Sequence, residues 1–161
     1  MEKKPVRCLL LACGNSLRGD DGAGPWLAAW AAKRFSSTAG LRFVVRMQWT
    51  PELAQDLAQA ESAIFIDAST LAAPGVALLH PIAPSADSPA LSAHHLDAPE
   101  LLALAQRLYD SSPGNAWLLT IGMGSTEMGE TFSAAVQLGL PRACMLLEDT
   151  VRGVLSEPQR S

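Results

Sequence analysis

The segment 14–24, GNSLRGDDGAG, places two adjacent aspartates, Asp20 and Asp21, inside a glycine-rich turn. A phosphate cradle in such a turn uses bare N–H groups and a lysine, whereas two carboxylates repel a phosphate unless a metal sits between them. Asp67 ends the apolar run 62–67, where a charge is costly against buried neighbours. His94 and His95 are adjacent in a loop rich in alanine, proline and serine. Two carboxylates and an imidazole form an O,O,N donor set suited to a divalent first-row metal. Each residue also has a plain structural alternative. Asp21 can cap the helix that follows, Asp20 can form a turn with nearby N–H groups, and Asp67 can close an Asx turn. A lone loop histidine is commonly a surface residue. Cys13 could serve as a nucleophile with His94 as its base, but at the end of an apolar strand it reads first as a buried structural cysteine.

These residues need elements to carry them. Residues 7–13 are a short apolar run closed by Gly14, the pattern of a strand buried on both faces. A helix over 24–35 follows, with Pro25 in its first turn and Leu27, Trp30 and Ala31 at helical spacing. Strands are expected at 41–47, 62–67, 75–82 and 116–123, the one at 75–82 at an edge because of Pro81. Thr50 and Pro51 read as the cap and first residue of a helix carrying Leu53 and Leu57. Asp97, Pro99 and Glu100 resemble a capping box ahead of Leu101, Leu104, Ala105 and Leu108. Ser133 starts a short helical piece, and Pro141 opens the last helix with Ala143, Leu147, Val151 and Val154 inward. Trp26, Trp30, Trp49 and Trp117 are assigned to the core, with Trp49 also a possible docking residue. The alternation predicts an α/β fold: a single three-layer domain over 1–156, with a mostly parallel, twisted five-stranded sheet and helices on both faces. Residues 157–161 read as a disordered tail. In such a sheet ligands bind outside the carboxyl ends of the strands, the rim on which Asp20, Asp21, Asp67 and the two histidines are expected to meet.

Composition narrows the field further. A hydrophobic content of 48% with 17% charged residues is that of a globular chain, and a net charge of −4 opposes general binding to nucleic acid or anionic membranes. Three cysteines without CxxC spacing make neither a disulfide framework nor a cysteine-rich zinc site, and they suit a reducing cytoplasm. The apolar stretch near the N-terminus lacks the length and cleavage site of a secretion signal, and no run approaches the ~20 residues of a membrane span. The glycine turn lacks dinucleotide spacing, and P-loop, zinc-protease and nucleophile-elbow signatures are absent.

LLACGNSLRGDDGAG resembles the N-terminal signature of the [NiFe]-hydrogenase maturation endopeptidases, a strand followed by G-N-x-L-x-x-D-[DE]-x-x-G. AIFIDAS, LSAHHLDAPELLALA and LLTIGMGSTEMGETFSAAV are similar to their three later segments, in family order and across nearly the whole chain. The resemblance implies an enzyme that removes a C-terminal extension from the nickel-loaded large-subunit precursor of a [NiFe] hydrogenase. It implies that Asp21, Asp67 and His94 contact the metal, with His95 in the adjacent variable place. Nickel would be supplied by the substrate, already held by its cysteine thiolates, with no tightly bound cofactor of the enzyme's own. The expected partner is that precursor, with no nucleic acid and no membrane, and the expected compartment is the cytoplasm. Asp20 is the candidate general base. Two departures stand out. Asp21 occupies a place where some members carry glutamate, and MQWTPELAQDL replaces a D-[GC]-x-T box, keeping Thr50 but putting Gln48 and Trp49 before it. Asn15, Gln48, Trp49 and Thr50 are the candidate substrate-recognition residues. A non-catalytic assembly or nickel chaperone binding the same tail is the alternative, and would form a complex without shortening its partner. A third reading is a small-molecule or nucleotide-binding α/β module.

Overall fold

In the computed structural model, residues 6–85 and 96–159 are described. Strand β1 (Val6–Cys13) lies inside the sheet, and its apolar residues 8–12 are almost wholly buried. It leads through a tight 3-10 turn, Gly19–Gly22, into α1 (Ala23–Arg34). β2 (Leu41–Arg46), α2 (Leu53–Ala58), β3 (Ala60–Ser69), β4 (Ala77–Ile82), α3 (Ala98–Tyr109), β5 (Asn115–Gly122) and α4 (Ala134–Ser156) follow. The sheet order is β2-β1-β3-β5-β4, with β4 antiparallel at one edge and every other pairing parallel. The expected mostly parallel α/β sandwich is what the chain forms.

Strand alternation divides the interior into two cores. Leu10, Ala12, Ile64, Ile66, Leu119 and Ile121 point to one face and pack against Leu27, Ala31, Leu147 and Val151 of α1 and α4. Leu9, Leu11, Ala63 and Phe65 point to the other and meet Leu53, Leu57, Leu101 and Leu102 of α2 and α3. Residues one apart serve opposite faces because the strand period is two. Each such buried Leu, Ile or Phe contributes about 1.5–3 kcal/mol, so both layers hold firmly to the sheet.

Several boundaries differ from the sequence expectation. β3 runs two residues beyond Asp67, because Ala68 and Ser69 still pair with Ile121 and Gly122. β4 begins at Ala77, since Gly75, with φ +75°, makes a turn. α2 starts at Leu53; Thr50 and Pro51 form the preceding turn, in which the Thr50 carbonyl accepts from the Leu53 N–H at 3.1 Å. In α3 the buried stripe is Ala98, Leu101, Leu102 and Ala105; Leu108, seven residues on from Leu101, falls in the last turn and is exposed.

The largest difference is α4. Instead of a short piece and a separate helix, one 23-residue helix runs through Pro141. A proline inside a helix costs about 3 kcal/mol. Here the apolar stripe Val136, Leu140, Ala143, Leu147, Val151 and Val154 is continuous on both sides of it, and its burial outweighs that cost. At the far end the Arg7 guanidinium donates to the carbonyls of Val154, Leu155 and Glu157, so the first residue of the expected tail is tied to β1.

Candidate functional site

β1 passes through α1 to β2 on one side, and the chain then returns past β1 to β3 on the other. The crevice between the carboxyl ends of β1 and β3 is therefore the switch point of the sheet, the place where open α/β folds bind ligands. Gly14 (φ +147°) turns the chain out of β1, and its N–H donates to the Arg46 carbonyl at 3.0 Å. α1 starts hard against the sheet: a Cβ on Gly24 would lie 2.5 Å from the Cys13 carbonyl and 3.1 Å from that of Ile66. Only glycine allows so close an approach.

Asp21 stands on the turn after β1, half-buried, with one carboxylate oxygen accepting from the Asn15 N–H at 2.8 Å. Asp67 stands on β3, in register with Thr120 of β5. Burial, and then the charge of Asp21, push the Asp67 carboxyl up to about 7, against a smaller opposing effect from the Ala68 N–H. The same crevice holds Cys13. Burial, followed by the charges of Asp67 and Asp21, raises its thiol to about 12, while the Trp49 N–H works the other way. Its sulfur donates to the Met47 carbonyl at 3.4 Å. A thiol so strongly held in its protonated form is a poor nucleophile, and the structural reading of Cys13 prevails. Among the described residues neither Asp21 nor Asp67 is paired with a basic side chain.

Asp20 has a different setting from its neighbour. It is 1% exposed, and its two oxygens accept from the N–H groups of Gly124, Ser125 and Ser133 and from the Ser133 hydroxyl, at 2.7–2.9 Å. Burial works to raise its pKa, but the Ser133, Gly124 and Ser125 hydrogen bonds outweigh it and hold the group below the usual aspartate value. A carboxylate so enclosed and so weakly basic does not suit the general-base role expected of it.

His94 and His95 lie outside the described residues. β4 is antiparallel, so the chain leaves it at the opposite end of the sheet from the rim on which the two histidines were expected. α3 follows the segment that carries them. Its far end meets the end of α2, where the Ser111 hydroxyl donates to the Ala58 carbonyl at 2.8 Å beside the start of β3. Its first turn is closed by the reciprocal Asp97–Glu100 capping box, and there the Pro99 carbonyl accepts from the Ser85 N–H at 3.1 Å, three residues past the end of β4.

The recognition candidates divide. Asn15 spends its N–H on Asp21 and its side-chain oxygen on the Leu17 N–H, so it shapes the turn. Trp49 packs edge-on against Phe65 at 5.3 Å and belongs to the second core, whereas Gln48 is exposed beside it. Thr50 hydrogen-bonds the Glu52 carboxylate and helps hold its pKa down.

Trp26, assigned to the core from sequence, is 41% exposed instead and meets Phe132 edge-on at 6.3 Å. The two line an open cleft of about 620 Å³ with Ser16, Gly22, Pro25 and Gln137, beside the Asp21 turn. The loops after β1, β2, β3 and β5 each expose a large apolar side chain at this edge: Leu17, Met47, Leu71 and Met128. Sequence reasoning missed the cleft and the Asp20–Ser133 contact, for which the only signals were the aspartate doublet and the Ser133 cap of α4. Among the described residues no group of three His, Cys, Asp or Glu side chains is placed to hold a metal ion, and no helix is long and apolar enough to cross a membrane.

A single α/β domain with two carboxylates at its switch point is the class that the fold and site define. No family model matches the chain, and no curated protein matches it. Solved structures do. The chain is similar to the hydrogenase maturating endopeptidase HybD from E. coli, at 20% identity over 91% of this chain and 93% of that one, with a TM-score of 0.69. It is similar to the [NiFe] hydrogenase maturation protease HycI from Thermococcus kodakarensis, at 21% identity over 93% and 95%, with a TM-score of 0.64. The maturation protease HybD from T. kodakarensis gives 23% identity over 89% and 98%, with a TM-score of 0.61. At these identities the likeness establishes a common fold.

Proposed function

We propose that this protein is an endopeptidase that removes a C-terminal extension from the nickel-loaded large subunit of a [NiFe] hydrogenase, with Asp21, Asp67 and His94 contacting the substrate's nickel. The observation that carries this reading is the convergence of Asp21 and Asp67 at the β1/β3 crevice, where the charge of the first raises the pKa of the second. A cation arriving there relieves that repulsion and draws Asp67 into its charged form. His94 precedes Asp97, the cap of α3, by three residues. The apolar side chains around the crevice suit a protein substrate better than a small polar one. The names of the similar structures point the same way. In this account the protease supplies weak oxygen and nitrogen donors and the substrate supplies the nickel, so cutting depends on prior metal insertion.

Single alanine substitutions at Asp21 and His94 test the assignment. Each should abolish processing of a nickel-loaded precursor, read by mass spectrometry, while the thermal melt stays close to wild type. Cleavage at near wild-type rate in either variant would refute it. Stable complex formation without shortening of the partner, by the wild-type protein, would favour the non-catalytic chaperone.

A further inference from the structure

We infer that Asp20 is a positioning residue, whose carboxylate latches the segment Gly124–Ser133 against the catalytic turn and so sets the wall of the substrate cleft. The inference rests on the reading above for what the cleft receives. Asp20 collects four donors from a segment remote in sequence. The latch has a backbone flank: the Gly19 N–H donates to the Gly129 carbonyl at 2.6 Å, and the Gly129 N–H donates to the Leu17 carbonyl at 2.9 Å. Ser133, which takes two of the Asp20 contacts, also caps α4 by accepting from the Val136 N–H at 3.3 Å. One buried charge therefore joins the turn carrying Asp21, the start of α4 and the loop between them.

The geometry explains why aspartate stands there. Three converging N–H groups and a hydroxyl call for an acceptor-only group, and a carboxylate at the start of a long helix is further favoured by the helix dipole. An asparagine would turn an NH2 toward N–H donors. Thr131 and Phe132, which line the cleft beside Trp26, sit directly before Ser133. When the latch opens, the cleft wall moves while the sheet and the crevice stay in place.

The test compares wild type with Asp20→Asn and with Ser133→Ala, which keeps the charge and deletes one donor together with the side-chain cap of α4. Hydrogen exchange should show the Gly124, Ser125 and Ser133 amides losing at least ~tenfold protection in Asp20→Asn, while β1 and β3 amides keep theirs. On the nickel-loaded precursor KM should rise roughly tenfold with kcat within about threefold, and Ser133→Ala should move KM the same way by less. Unchanged exchange at those amides would overturn the inference, as would protection lost equally across β1 and β3. A fall in kcat with KM unchanged would instead place Asp20 in the chemistry and also overturn it. If wild-type protein leaves the precursor whole, the proposed function fails, and the exchange pattern alone decides the latch.

Discussion

The carboxyl of Asp67, on β3, is raised to about 7 by burial and by the charge of Asp21 on the turn after β1. The two residues come from different βα units, and the parallel pairing of β1 with β3 brings them to one crevice. Holding two carboxylates there with no basic partner among the described residues costs stability, an arrangement that a binding site for a cation can use.

The pH dependence of stability follows from that shift. A carboxyl with a raised folded pKa contributes stability that is present below its unfolded value near 4 and is lost as pH rises through about 7. Asp67→Asn removes the penalty. At pH 8 the variant should be more stable than wild type by on the order of 2 kcal/mol, with the difference shrinking toward pH 4. Paired urea titrations at the two pH values check this. An advantage that is equal at both would show that Asp67 is not shifted in the fold.

Cys13 should prove dispensable. With its thiol raised to about 12, it is protonated at neutral pH. Cys13→Ala should retain processing within about threefold, and alkylating reagents at pH 7.5 should leave the wild-type rate unchanged. Complete loss of cleavage in a folded Cys13→Ala protein would revive the thiol mechanism.

Pro141 offers a test of the helical packing. It sits on the exposed side of α4 and lacks the N–H that the helix would otherwise use. Pro141→Ala should stabilise the fold by about 1–3 kcal/mol, seen as a higher melting temperature. A lower one would mean that the bend imposed by the proline is needed for α4 to follow the sheet.

Much of this fold was legible in the sequence because buried strands and capped helices leave strong local patterns. The run 8–12 and the Asp97–Glu100 box are examples that the structure keeps. The helix break expected at Pro141 failed because tertiary burial of a continuous stripe overrode a local rule. Trp26 reads as core from its amphipathic context, yet it lines the cleft, a distinction that depends on what stands opposite it. Asp20 could not be read, because its four donors come from a segment more than a hundred positions away. The grouping of Asp21 with Asp67 was accessible, since it needs only parallel strands and the switch-point rule. The antiparallel sense of β4 was not, because it leaves no trace in the strand's composition.

The central claim is that cleavage reads the metal held by the substrate. Its most direct measurement is the intact mass of a [NiFe]-hydrogenase large-subunit precursor after incubation with this protein, prepared once with nickel and once without. The account predicts that the nickel-loaded precursor loses its C-terminal extension and that the nickel-free one keeps its full mass. Equal shortening of both, or of neither, would contradict it.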